Sequence, residues 1–194
     1  QMQVLGNPSS LHTHGRSTRK SLEDAREVIA RQVNCLPSEV IFTASGTEAN
    51  NIALKGLFWQ GKAQGKNFVV ISAIEHHAIL DPAQWLADHE GADLITVDVT
   101  ADGVIDLNSL EEIINKHRNE IAVISVMHAN NETGTLQPIS EVVALAADIP
   151  VHTDAVQSFK KTPLSFAELG VYAMTLSAHK IGGPLGIGAL ILRR

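Results

Sequence analysis

An α/β fold built on a largely parallel central sheet is predicted by two features of the sequence. Short apolar runs alternate with segments of helical periodicity, and no repeat, low-complexity tract or linker breaks the alternation. A length of 194 residues suits one core, since domains run to about 100–200 residues.

The elements follow in order. Leu22, Ala25, Ile29 and Val33 recur at helical spacing, so roughly Thr18–Gln32 reads as an amphipathic helix. Glu39–Thr43 is a short strand, and a helix runs from about Thr47 to Trp59. Phe68–Ser72 is a compact apolar run of the kind that forms buried strands. Ala78–Glu90 reads as a helix with Pro82 in its first turn, and Leu94–Val99 as a strand. Asp106 can cap a helix carrying Leu107, Leu110, Ile113 and Ile114. Ala122–Met127 is a strand, and Pro138 opens a helix with Ile139, Val142, Val143 and Ala146 on one stripe. Pro150–Asp154, Tyr172–Leu176 and Ile187–Leu192 complete the strands.

Composition excludes several roles. A net charge of −6 argues against a nucleic-acid binder, which needs a basic face. No apolar run approaches the ~20 residues that span a bilayer. The segment Gln1-Met2-Gln3 lacks the basic and apolar regions of a signal peptide. The one cysteine, Cys35, has no internal partner for a disulfide, which fits a cytoplasmic, reducing setting. The absence of an initiator Met, and an end at Arg193-Arg194 directly after a strand, lead us to expect a fragment of something longer.

In sheets of this kind ligands bind beyond the carboxyl ends of the strands. Four such ends carry unusual residues. In Thr43-Ala44-Ser45-Gly46-Thr47-Glu48 a glycine and a threonine stand at a helix start, where free N–H groups and the dipole can cradle a phosphate. Taken alone, the motif favours an ordinary Ser/Thr cap. In Glu75-His76-His77 an imidazole could stack on a flat ring or move a proton, or simply lie on the surface. In Val151–Gln157, Asp154 ends a buried strand, where an acid is costly without a partner. A protonated pyridine nitrogen would be one partner and backbone N–H groups another. In Ser177-Ala178-His179-Lys180, followed by glycines 182, 183, 186 and 188, a lysine leaves an apolar strand. Partial burial would lower its pKa, as a Schiff-base lysine requires, and the glycines would let the backbone pass close to a bulky ring. This motif favours function over a mere surface loop. A zinc site among His12, His14, His76, His77, His128, His152 and His179 is not expected, because no Cys-rich or His-Glu-x-x-His pattern is present.

Six phrases, in register along nearly the whole chain, resemble the class V, aspartate-aminotransferase-like pyridoxal-phosphate (PLP) enzymes, and within them the cysteine desulfurases. They are Gly6-Asn7-Pro8-Ser9-Ser10-Leu11-His12 with Gly15-Arg16; Phe42-Thr43 leading to Gly46-Thr47-Glu48 and Asn50-Asn51; Glu75-His76; Met127-His128-Ala129-Asn130-Asn131-Glu132-Thr133-Gly134; Asp154-Ala155-Val156-Gln157; and Ser177-Ala178-His179-Lys180. The Asn-Asn-Glu-Thr-Gly and Ser-Ala-His-Lys phrases look more like the NifS/IscS type than the SufS type. The resemblance implies a three-layer α/β/α large domain of fold type I, with a mainly parallel mixed sheet over residues 1–194. It implies PLP as cofactor, L-cysteine as substrate, a sulfur-acceptor protein, a homodimer, and a role such as iron–sulfur cluster assembly. By the same resemblance Lys180 would carry PLP and move the substrate α-proton, Asp154 would pair with the pyridine nitrogen, and His76 would stack on the ring. Gln157 would hydrogen-bond the phenolic oxygen, with Asn131 near it and the substrate carboxylate. Gly46, Thr47, Ser177 and His179 would bind the phosphate.

One departure matters. The family's sulfur-accepting cysteine lies on a loop far downstream of the lysine, and Cys35 matches no such position. The substrate-carboxylate arginine, the C-terminal small domain and a partner-subunit threonine have no counterpart here either. We therefore expect these residues alone to lack complete desulfurase activity. Two alternatives stand beside the desulfurase: another class V enzyme, aminotransferase or selenocysteine lyase, and a non-catalytic α/β module for a phosphate ligand. The last gives Lys180, Asp154 and Gln157 no shared task, and no Gly-x-Gly-x-x-Gly turn supports a dinucleotide.

Overall fold

A computed structural model describes residues 6–194; the reading of Gln1-Met2-Gln3 lies outside them. The described residues form a seven-stranded sheet with helices on both faces. In chain order they are α1 (Thr13–Val33), β1 (Val40–Thr43), α2 (Gly46–Lys62), β2 (Phe68–Ser72), α3 (His77–Glu90), β3 (Asp93–Val97), α4 (Leu107–His117), β4 (Ile121–Ser125), α5 (Ile139–Ala146), β5 (Val151–Asp154), α6 (Phe166–Leu169), β6 (Ala173–Ser177) and β7 (Gly188–Leu192). Strand order is β1-β7-β6-β5-β4-β2-β3, and β7 alone runs opposite to the other six strands.

The sheet separates two cores, because successive strand side chains point to opposite faces. Val69 and Ile71 pack with α2 and α3 on one side. Val70, between them, joins α1, α4, α5 and α6 on the other. Each fully buried Leu, Ile or Phe contributes about 1.5–3 kcal/mol by leaving water. The three-layer α/β/α arrangement with a mixed, mainly parallel sheet is thus as expected.

Several details differ from the sequence reading. Helix α1 begins at Thr13, because the His12 imidazole caps it by accepting from Gly15 N–H at 3.2 Å. Of its expected apolar stripe, Val33 is buried and Ile29 half-buried, while Leu22 and Ala25 are exposed. Pro82 lies in the second turn of α3, since that helix starts at His77. Residues Phe166–Leu169 form one extra helical turn, capped by Ser165 and ended by Gly170.

The middle of the sheet holds a buried polar relay. His152 is fully buried, with Nδ1 2.9 Å from Ser125 Oγ and Nε2 3.1 Å from Thr175 Oγ1, so it links β5 to both flanking strands. Burial pushes its pKa from an ordinary 6.5 to about 3. A group with a depressed folded pKa binds more protons when unfolded. Its contribution is therefore present above about pH 6.5 and lost as pH falls through about 3. Urea midpoints are expected to drop on acidification across this window, and to drop less in His152→Gln. Equal drops would contradict the assignment.

Candidate active site

The carboxyl ends of β1, β2, β4, β5 and β6 converge on one cavity of about 210 Å³. The β1–α2 turn contributes Ser45, Gly46, Thr47 and, one helical turn on, Asn50. His76 and Ala78 come from the start of α3, and Met127 and Asn131 from beyond β4. Asp154, Val156 and Gln157 follow β5, and His179 and Lys180 follow β6. Ser177 alone among the expected residues does not line it. It lies beneath, buried, with Oγ 2.8 Å from His179 Nδ1.

Each wall has a local cause. The α2 cap is Ser45, whose hydroxyl accepts from Glu48 N–H at 3.0 Å, while the Glu48 carboxylate accepts from Ala44 N–H at 2.5 Å. The first N–H groups of a helix have no intrahelical partner, so Gly46 and Thr47 keep theirs for a ligand. Cap and anion cradle therefore coexist. Gly46 is required by space: a Cβ there would lie 2.8 Å from Val156 Cγ2 and 3.3 Å from Ser177 Cβ.

Asp154 is 6% exposed. Its Oδ1 accepts from Val156 N–H at 2.9 Å and its Oδ2 from Asn50 Nδ2 at 2.6 Å. Burial pushes its pKa up, against the lowering effect of those two bonds and of His76. An acid so placed fits a cationic N–H donor, which would return it to the charged form. Asn50 was not singled out from sequence as a site residue. The signal was there: it falls in the buried stripe of α2 with Ala49, Ala53 and Leu54, and a buried amide must find a partner.

His76 is the N-cap of α3, its Nδ1 accepting from Ala78 N–H at 3.0 Å. That contact leaves Nε2 as the ring nitrogen free for other work. His77 instead sits 3.0 Å from Asp81 on the exposed face of the helix. Gln157 accepts from Lys161 Nζ at 3.1 Å through Oε1, which leaves its amide donors uncommitted by that bond.

Lys180 corrects an expectation. It lines the cavity but is exposed rather than partly buried, because a 3₁₀ turn at His179–Ile181 carries it past the carboxyl end of β6. The glycines that follow also have reasons within the chain itself. Gly182 and Gly186 take φ of +76° and +79°, which disfavour side chains. A Cβ on Gly183 would press on Ala178, and one on Gly188 would lie 2.5 Å from the Ser45 carbonyl carbon. Gly188→Ala must therefore push β7 away from the β1–α2 turn. It is expected to cost about 1–3 kcal/mol of stability and to loosen the anion cradle. Gly56→Ala, on an open helix surface, is expected to be harmless. Denaturant melts of the two variants check this.

Cys35 is half-buried against the core. Burial, with Glu39 adding to it, pushes its thiol up to about 11. Alkylation by iodoacetamide at about pH 8 is expected to run at least about tenfold slower than for an unfolded thiol, because the thiolate is the nucleophile. Among the described residues no three His, Cys, Asp or Glu side chains gather as a metal group, and no helix is long and apolar enough to cross a membrane.

A family model for class-V aminotransferases matches residues 2–194. The chain belongs to the class-V aminotransferase family. Within this family, an IscS-like cysteine desulfurase of Mycobacterium tuberculosis is 47% identical over 195 aligned positions, covering 98% of this chain and 49% of the relative. A cysteine desulfurase IscS of Dictyoglomus turgidum is 43% identical, covering 98% and 48%. Among solved structures, a protein described as SspA in complex with cysteine superposes with a TM-score of 0.92 at 37% identity, over 100% of this chain and 55% of that one. A NifS-like protein reaches 0.94 at 34% identity, over 100% and 53%. This class-V chain spans about half the length of the curated relatives it matches.

Proposed function

We propose that these residues are the cofactor-binding large domain of a PLP-dependent cysteine desulfurase. The observation that carries the reading is one cavity lined by Lys180, Asp154, His76 and the Gly46-Thr47 helix start. The identity to IscS proteins and the likeness to a structure holding cysteine support it.

When bound, PLP supplies an electron sink for the bonds around the substrate α-carbon. Lys180 would hold it covalently through Nζ and later move the α-proton. Asp154 would accept a hydrogen bond from the ring nitrogen and keep that nitrogen protonated. The N–H groups of Gly46 and Thr47, with the His179–Ser177 pair, would bind the phosphate. His76 would lie against the ring with Nε2 free for proton transfer, and Gln157 would donate to the phenolic oxygen. Asn131 would orient the substrate carboxylate.

In the overall reaction the C–S bond of L-cysteine breaks and its sulfur passes to an enzyme thiol. Cysteine and a thiol become L-alanine and a persulfide, which hands its sulfur to an acceptor protein for uses such as iron–sulfur cluster assembly. A half-buried Cys35 with a raised pKa is poorly suited to be that thiol, so the 194 residues alone are expected to form no persulfide. A cytoplasmic homodimer completes the proposal.

The test is to incubate the full-length protein with PLP, L-cysteine and a dithiol reductant. Alanine and sulfide in equal amounts, dependent on PLP, are expected. A keto acid without sulfide would reassign the protein to transamination, and no turnover would refute the activity.

A further inference from the structure

Behind the cavity's lining lies a buried acid that the reading above leaves unused. Glu75 is 6% exposed and sits on the loop between β2 and α3, next to His76. Its Oε1 accepts from Ser72 Oγ at 2.6 Å and from Met127 N–H at 2.7 Å, tying this loop to the segment that follows β4. Its Oε2 is buried without a partner. A second tie runs alongside: Asn130 Nδ2 donates to the Ile74 carbonyl at 3.1 Å, while Asn130 Oδ1 accepts from Glu132 and Thr133 N–H groups. His76, Met127 and Asn131, which flank these ties, all line the cavity.

The hydrogen-bond count says which form of Glu75 belongs there. A carboxylate spreads its charge over two oxygens, and here one of them has nothing to accept from. Burying such an ion is expensive, and Asp154 adds a second buried acid. As the neutral acid, one oxygen takes two donors, which fills its two lone pairs, and a single O–H remains unpaired. The carboxyl is raised to about 8, chiefly by burial, with the Ser72 and Met127 bonds opposing and Asp154 adding.

We propose that Glu75 is a positioning residue that works as the neutral acid, locking the His76 loop to the Met127–Asn131 segment beside the cavity. The inference rests on the PLP reading, since it concerns how the wall around that cofactor is held. A neutral Glu75 also leaves Asp154 as the carboxylate that answers the ring nitrogen.

The test uses the full-length protein with Glu75→Ala and Glu75→Gln. Two readouts are taken: PLP affinity, and the visible circular dichroism of bound PLP, which reports the ring's surroundings and not global stability. Glutamine offers the same accepting oxygen without charge, so Glu75→Gln is expected to bind PLP within about twofold of the parent with an unchanged dichroic band. Glu75→Ala is expected to weaken binding about tenfold and alter the band. If Glu75→Ala proves insoluble, Glu75→Gln still decides. A glutamine variant well below the parent in affinity overturns the proposal, and so does an alanine variant equal to the parent. Parent protein that forms no borohydride-reducible lysine adduct with PLP would instead sink the cofactor reading itself.

Discussion

Lys180→Ala in the full-length protein is expected to abolish covalent retention of PLP and to lower turnover by at least about 10³-fold, the scale of losing a covalent catalyst. Among the described residues Lys180 is the lysine that lines the cavity. One rival is Lys161, whose Nζ lies 3.1 Å from Gln157 Oε1, a residue of the lining. Its reach toward Gln157 makes it a fair control. Lys161→Ala is expected to keep the adduct and most of the turnover, because that amine does not line the cavity. Spectral titration with PLP followed by borohydride reduction separates the two lysines. Covalent retention in Lys180→Ala would mean that another amine does the work.

Asp154→Asn is the second large effect, and its sign differs between activity and stability. The substitution removes the acid that would hold the ring nitrogen protonated. Turnover is expected to fall about 10²–10³-fold, the cost of losing one preorganised charge partner. PLP should still attach to Lys180, because the amine and the phosphate cradle are untouched. Without cofactor the variant is expected to be at least as stable as its parent, since a buried acid held up by desolvation is a burden on the empty fold. Steady-state kinetics and thermal melts of the cofactor-free protein, run together, check both halves. A simple packing role would lower stability and spare turnover.

Much of this architecture was legible in the sequence, for physical reasons that particular elements show. Phe68–Ser72 shows its observed bounds in the sequence, because a buried parallel strand is a continuous apolar run and polar residues bracket it. Asp106 announced α4, and its carboxylate accepts from the Asn108 and Ser109 N–H groups as a cap should. The α6 turn leaves no signal in the sequence, because four residues cannot display a helical period. That β7 alone runs antiparallel was not readable, since an isolated apolar run carries no direction.

At the site, the rule that ligands lie beyond strand ends led to His76, Asp154 and Lys180, residues far apart in sequence that share one cavity. Burial within the loops is the part the sequence does not carry. Lys180 was expected partly buried and is exposed. Glu75, in a polar-looking loop, is almost wholly enclosed, and only the fold brings Met127 N–H to it. Loop residues have no periodicity from which an inside and an outside can be deduced.

The most direct measurement is to locate the cofactor on the chain. Full-length protein saturated with PLP is reduced with borohydride and digested, and the pyridoxyl-bearing peptide is sequenced by mass spectrometry. The account predicts one modified site, Lys180, in the peptide that continues into Ile181-Gly182-Gly183. A pyridoxyl group on any other lysine, or on none, would contradict it.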